Sequence, residues 1–419
     1  MNKRWVTLCA AVLGTVMTFS VMGMRADAAA AIMPDGTVFD PDYYAAHNAD
    51  VYAAYGLDTD KLYEHYKEYG QKEGRLPADP AIAAAVQQAG GPVYQETQPT
   101  AGQTFTVSFA GDVNMDPRFV AGSTIARLGL AGCFDKGTLD LMRNSDVFML
   151  NNEFPYTTRG RQNQKKWTFR ADPKKAAMLK DIGTDVVSLA NNHTFDYGEQ
   201  GFLDTLDALS TAGVPYVGAG HNIEEARKPY YYENKGMCIA IVSATQIERY
   251  PNAPTRGASA KRSGVFRCYD PTLLYQTIAE AKKNADFVIT YVHWGTEQMK
   301  TPDAGQKDLA KGMADAGADL IIGDHPHCLQ TIGYVEGVPV IYSLGNYVFA
   351  NYTRDTCLVQ ATFDPSAKKM ASLKFIPLKA DSSCRVREPN AAEKKAAISA
   401  EQKLSPDVHI DADGLITAK

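Results

Sequence analysis

The chain has 419 residues, 45% of them hydrophobic and 22% charged, with a formal net charge of −5. That length calls for more than one folded unit and supports an ample core. The acidic balance excludes a protein that grips DNA or RNA by bulk electrostatics, so no nucleic-acid partner is expected. It also excludes bulk attraction to an anionic polymer, which would need a local basic groove.

Lys3 and Arg4 precede an apolar stretch from Trp5 to about Met24, and Ala26-Asp27-Ala28 offers small residues for cleavage. Residues 1–30 are therefore expected to be a signal peptide. The protein is expected outside the cell or at its surface, held at the membrane if the segment stays uncleaved. Cys133, Cys238, Cys268, Cys328, Cys357 and Cys384 remain after the leader. They are too dispersed to fix a disulfide pairing.

Residues 31–80 read as a small helical module, with aromatic and apolar residues at helical spacing: Tyr43, Tyr44, Tyr52 and Tyr55, then Leu62, Tyr63, Tyr66 and Tyr69. Phe39-Asp40-Pro41, Asn48-Ala49-Asp50-Val51, His65-Tyr66, Tyr69-Gly70 and Glu73-Gly74-Arg75 resemble a short module of bacterial surface and secreted proteins. The resemblance implies attachment or interaction. Residues 81–103 read as a flexible linker.

From residue 104 to about 380, strand-like runs alternate with helical patterns at 173–183, 199–213, 271–285 and 304–317, the signature of βαβ units. Later runs such as Val338–Gly345 and Ser372–Leu378 lack intervening helices, so a two-sheet sandwich flanked by helices is expected. Residues 381–419 read as a polar, poorly patterned tail, partly disordered.

Five of the apolar runs end in polar clusters. They finish at Asp112, at Glu153, at Asn192-His193, at His293 and at His325-Pro326-His327. Open α/β sheets place their sites at the carboxyl ends of strands. Carboxylate, amide and imidazole without thiol form a ligand set for one or two divalent transition metals. In His325-Pro326-His327 the proline favours an extended residue before it, which would put both imidazoles on one face. Asp196 stands three residues after His193 and is placed to orient it. Cys328, beside His327, is assigned to packing.

Ala110-Gly111-Asp112, Asn152-Glu153, Asn191-Asn192-His193 with Asp196 and Gly198, His293-Trp294-Gly295 with Glu297, Asp324-His325-Pro326-His327 with Gln330, and Ser343-Leu344-Gly345-Asn346 resemble the bacterial capsule-synthesis CapA family. That family is linked to poly-γ-glutamate capsules and related to calcineurin-like metallophosphoesterases. The resemblance implies an αββα sandwich of metallophosphoesterase type. It implies metal ligands at Asp112, Asn114, Glu153, Asn192, His293, His325 and His327, with Asn114 where the phosphoesterase pattern has histidine. It gives His193, with Asp196, the acid role. Arg118, Arg170, Glu297 and Asn346 are candidates to contact substrate. The implied cofactor is one or two ions of manganese, zinc or iron.

The expected function is an exported hydrolase or transferase that uses a metal-activated water on a cell-envelope polymer of the poly-γ-glutamate type. The alternatives are a non-catalytic component assisting polymer synthesis or export, and a general secreted phosphoesterase. Expected partners are an anionic envelope polymer or phosphoester substrate, and a membrane synthase complex.

Overall fold

The computed structural model describes residues 30–33, 35–80, 82–83, 103–250 and 253–419. The leader and most of the 81–103 linker lie outside the described residues.

The aromatic segment forms three short helices, α1 (Pro41–His47), α2 (Ala49–Tyr55) and α3 (Thr59–His65). Asp40 and Asp58 cap α1 and α3 by accepting the N–H groups of Tyr43 and Lys61. Phe39, Tyr44, Leu62, Tyr63 and Tyr66 bury one another in a cluster of their own. Arg75 ties the two ends of the motif together. Its guanidinium reaches the two Asp50 oxygens at 2.8 and 2.7 Å and Asn48 Oδ1 at 3.1 Å. His65 lies 3.1 Å from the Tyr44 hydroxyl and His47 stacks on Tyr43, so both histidines serve packing.

The larger unit is built on β1 (Phe105–Val113), β2 (Val147–Asn152), β3 (Val186–Ser188), β4 (Tyr216–Val217), β5 (Tyr230–Asn234), β6 (Met237–Thr245), β7 (Phe287–His293) and β8 (Leu320–Asp324). It continues through β9 (Ile332–Val335), β10 (Val338–Ile341), β11 (Asn346–Val348), β12 (Arg354–Asp364), β13 (Lys369–Ala380) and β14 (Val386–Arg387). One sheet runs β14-β13-β12-β1-β2-β3-β4 with β11 beside β1, and the other runs β9-β10-β8-β7-β6-β5. The strands that carry the polar clusters are parallel to their neighbours, β1 to β2 to β3 in one sheet and β6 to β7 to β8 in the other. Within each sheet the clusters therefore emerge at the same end.

Alternation along each strand explains the continuous apolar runs. In β7, Phe287, Ile289 and Tyr291 face the core between the sheets, while Val288 and Val292 face outward under helices. In β2, Val147 and Met149 point inward, and Phe148 and Leu150 point to the other helical layer. Strands covered on both faces lose the polar half of the usual alternation. The outer layers include α4 (Gly198–Ala212) over the first sheet, and α5 (Thr272–Asn284) and α6 (Ala304–Asp315) over the second. The segment expected as a helix at 173–183 is instead a 3₁₀ turn, Pro173–Ala177, followed by a single α-turn, Met178–Asp181. The result is a two-sheet α/β sandwich flanked by helices, as expected.

The reading of the C-terminal residues as a partly disordered tail is corrected. They form α7 (Ala391–Leu404), with an Asn390/Glu393 capping box, and a hairpin of β15 (Val408–Ile410) and β16 (Ile416–Ala418). Ile398, Val408, Ile410 and Ile416 join the core between the sheets. The signal is weak because α7 buries only Ala397, Ile398 and Glu401. Ile410→Ala should cost about 2–4 kcal/mol in urea unfolding, as for other buried aliphatic truncations. An unchanged midpoint would mean that the hairpin contributes nothing to the fold.

Glu401 is buried, with Oε1 accepting from the Ser405 hydroxyl at 2.9 Å and Oε2 without a hydrogen-bond partner among the described residues. Burial pushes its carboxyl up from 4.5 to about 7. The folded state therefore holds the proton more tightly than the unfolded chain does. That stability is fully present below about pH 4.5 and is lost as pH rises through about 7. Each tenfold difference in proton affinity between the two states is worth about 1.4 kcal/mol. Glu401→Gln should flatten the stability profile across this window and raise the melting temperature at pH 8. A profile identical to that of the parent protein would exclude Glu401 as the source.

Candidate metal centre

The polar strand ends converge between the two sheets. Asp112 is the next-to-last residue of β1 and Glu153 follows β2, while His293 and Asp324 close the neighbouring strands β7 and β8 in register. His325 and His327 follow on the next loop. His293 Nε2 lies 2.8 Å from Asn192 Oδ1, 3.0 Å from His325 Nδ1 and 3.6 Å from Glu153 Oε1. His327 Nδ1 lies 3.1 Å from Asp112 Oδ2, across 215 positions of sequence. Two donor sets share one carboxylate: Glu153, His293 and His325 on one side, Asp112, Glu153 and His327 on the other. All of these side chains are buried except that of His327, which is half-buried.

The electrostatics of this cluster are unfavourable without a cation. Burial, and then the charges of Asp112 and Asp324, push the Glu153 carboxyl well above its usual range. Burial and Asp112 do the same to Asp324. Burial works against Asp112 as well, but His327 beside it holds that carboxyl below the usual value. Burial pushes His293 down to about 3 and His325 well below the ordinary range, so both imidazoles are neutral and offer lone pairs. His327, which burial alone would push down, is held up by Asp112. Glu153 Oε1 and Asp324 Oδ2 are buried without a hydrogen-bond partner among the described residues. Such groups are costly unless paired or bound to metal. Neutral imidazoles, orphaned carboxylate oxygens and close donor spacing fit one or two divalent cations.

Asp324 is a residue whose role the sequence does not disclose. Its Oδ1 lies 3.0 Å from His293 Nδ1, which leaves Nε2 turned toward Asn192 and His325. A third donor set, Asp112, His293 and Asp324, competes for the same imidazole. The carboxylate that fixes Nδ1 favours coordination through Nε2, so Asp324 acts by orienting His293.

His193 lies at the edge of the cluster. Its Nδ1 is 2.7 Å from Asp196 Oδ2, its Nε2 is 3.9 Å from Glu153 Oε1, and Phe169 packs 4.4 Å from its ring. Burial lowers its pKa and Asp196 opposes that shift. Lys165 does not stand out in the sequence, because it sits in an irregular polar loop with no periodicity. Its ammonium is 3.2 Å from Asp196 Oδ1 and 3.0 Å from Glu248 Oε1, and it also donates to the Asn192 carbonyl. It thereby braces both the Asp196 that orients His193 and the loop carrying Asn192.

The loop His325-Pro326-His327 is not extended. His325 has φ +93° and His327 φ +57°, both in the left-handed region. The imidazoles converge because the backbone reverses hand, not because alternate residues share a strand face. Asn114 is a second correction. Its Oδ1 accepts the Asp116 N–H at 2.8 Å, so the oxygen expected to bind metal closes a local turn. Cys328 donates to the Met299 carbonyl and belongs to none of the donor sets.

The residues read as substrate contacts occupy different surroundings. Arg118 and Arg170 line a cleft of about 280 Å³ with Asp116, Thr157 and Asp172. Arg118 is pinned there by Asp116 and the Thr168 carbonyl, and Arg170 lies over the Tyr197 ring at 4.4 Å. Glu297 is exposed. Asn346 is buried at the cluster itself, against His327.

Residues 106–351 match the family described as bacterial capsule synthesis protein PGA_cap. The PGA biosynthesis protein CapA of Bacillus subtilis is 36% identical over 263 residues, covering 61% of this chain and 67% of that protein. The capsule biosynthesis protein CapA of Bacillus anthracis is 35% identical over 271 residues, covering 62% and 64%. The match thus spans about two thirds of the length of these relatives. A solved phosphatase structure from Mycoplasma pneumoniae superposes on 67% of this chain and 95% of its own, at 15% identity and a TM-score of 0.41, too low to carry an argument. With well over half of its residues inside the family match, the chain belongs to the bacterial capsule synthesis protein family.

Proposed function

We propose that this protein serves poly-γ-glutamate capsule metabolism as a metal-dependent hydrolase or transferase acting on the envelope polymer. The observation that carries the reading is the pair of donor sets meeting at Glu153, lined by neutral imidazoles and orphaned carboxylate oxygens. The similarity to CapA proteins supports the polymer as the setting. Export, and work beside a membrane synthase, rest on the N-terminal sequence and on that setting.

Asp112, Glu153, Asn192, His293, His325 and His327 would hold the cations, which when bound acidify water and offset charge on the substrate's oxygens. The chain's own residues do the rest. Asp324 fixes the ring of His293. Asp196 holds His193 at Nδ1, leaving Nε2 on the side of Glu153, where it would deliver a proton to the leaving group. Lys165 holds Asp196 in place. Arg118 and Arg170, in their cleft with Asp116 and Asp172, are the groups that would meet an anionic part of the substrate.

The test is elemental analysis of the purified protein together with hydrolysis of a phosphodiester and of poly-γ-glutamate, with and without added manganese or zinc. Bound cation with cleavage of the γ-glutamyl polymer is the expected result. Cleavage of the phosphodiester alone would indicate a general phosphoesterase. No cation and no cleavage would leave the non-catalytic assembly role.

A further inference from the structure

We infer that Asn346, and not Asn114, completes the cation position formed by Asp112, Glu153 and His327. The inference rests on the metal-centre reading above and extends it to a ligand that the sequence pattern assigned elsewhere.

Asn346 Oδ1 lies 2.9 Å from His327 Nδ1, and Asp112 Oδ2 lies 3.1 Å from the same nitrogen. A ring nitrogen carries at most one proton, so it cannot satisfy two oxygens fully. A shared cation can. Donors about 2.1 Å from one ion in octahedral geometry sit about 3.0 Å apart, which is the spacing found here. The amide is oriented for the task. Its Nδ2 donates to the His327 carbonyl at 3.3 Å, which turns Oδ1 toward the ring and Asp112. Asn114 Oδ1 is turned elsewhere, accepting the Asp116 N–H at 2.8 Å in a local turn.

The backbone is built for this approach. β11 runs parallel to β1 with Asn346 opposite Asp112, and the Asp112 N–H donates to the Gly345 carbonyl at 3.1 Å. A side chain at Gly111 would place its Cβ 1.9 Å from that carbonyl oxygen, and Gly345 itself has φ +64°. Two glycines thus let the chain bring an amide oxygen up to His327 beside Asp112. The resulting donors are two carboxylates, one amide and one imidazole. This oxygen-rich set favours manganese or magnesium over zinc, whereas the neighbouring position, with His293 and His325, is richer in nitrogen.

The test is manganese titration of the full chain, followed by elemental analysis and electron paramagnetic resonance, for wild type, Asn346→Ala, Asn346→Asp and Asn114→Ala. Circular dichroism would establish that each is folded. Wild type is expected to bind two ions with a spin-coupled spectrum. Asn346→Ala should bind one, with the coupled signal gone and affinity at the lost position weakened at least tenfold, while Asn346→Asp and Asn114→Ala keep two. Two tightly bound ions in Asn346→Ala, or loss of one in Asn114→Ala, would overturn the assignment while leaving the metal centre standing. A wild type that binds a single ion would also overturn it. A wild type that binds none would remove the metal-centre reading as well.

Discussion

His325→Ala is expected to abolish the cation position formed with Glu153, Asn192 and His293, and activity with it. The neutral His325 Nδ1 sits 3.0 Å from His293 Nε2, and no other imidazole among the described residues lies that close to replace it. Loss of even an outer supporting contact typically weakens metal binding about 10–100-fold, so loss of a ligand should exceed that range. Metal content by elemental analysis should fall together with turnover. Full metal occupancy in His325→Ala would refute the ligand assignment.

His193→Ala should separate chemistry from binding. His193 is held by Asp196 at 2.7 Å and stands 3.9 Å from Glu153, outside both donor sets. Metal content should be unchanged, while turnover falls by about 10²–10⁴, the usual contribution of a positioned proton donor. The loss should be greatest for substrates with poor leaving groups, which depend most on protonation. An equal loss for good and poor leaving groups would exclude the acid role and leave His193 as a structural support.

Much of this centre is legible in the sequence because strands buried on both faces announce themselves as unbroken apolar runs, and their ends can be compared. Asp112, Glu153, Asn192 and His293 stand out that way, and the structure brings them together. The features that stay hidden depend on contacts between elements distant in sequence. Asp324 orients His293 from a neighbouring strand, and nothing in either strand alone indicates it. Lys165 reaches Asp196 and Glu248 from a loop without period. The C-terminal hairpin is obscured for a different reason. It buries a few residues against a core already formed, so its sequence carries little amphipathic signal.

The reversed backbone at His325 and His327 has a consequence beyond geometry. Outside glycine, such conformations typically cost about 1–3 kcal/mol each and survive only where something else requires the side chain. His325→Gly would therefore be expected to release tension that His325→Ala retains, giving a cation-free protein harder to melt than the alanine variant. Glycine is the residue that folding would select at both positions. Histidine at each is a standing concession by the fold, and it marks this loop as shaped by what it holds.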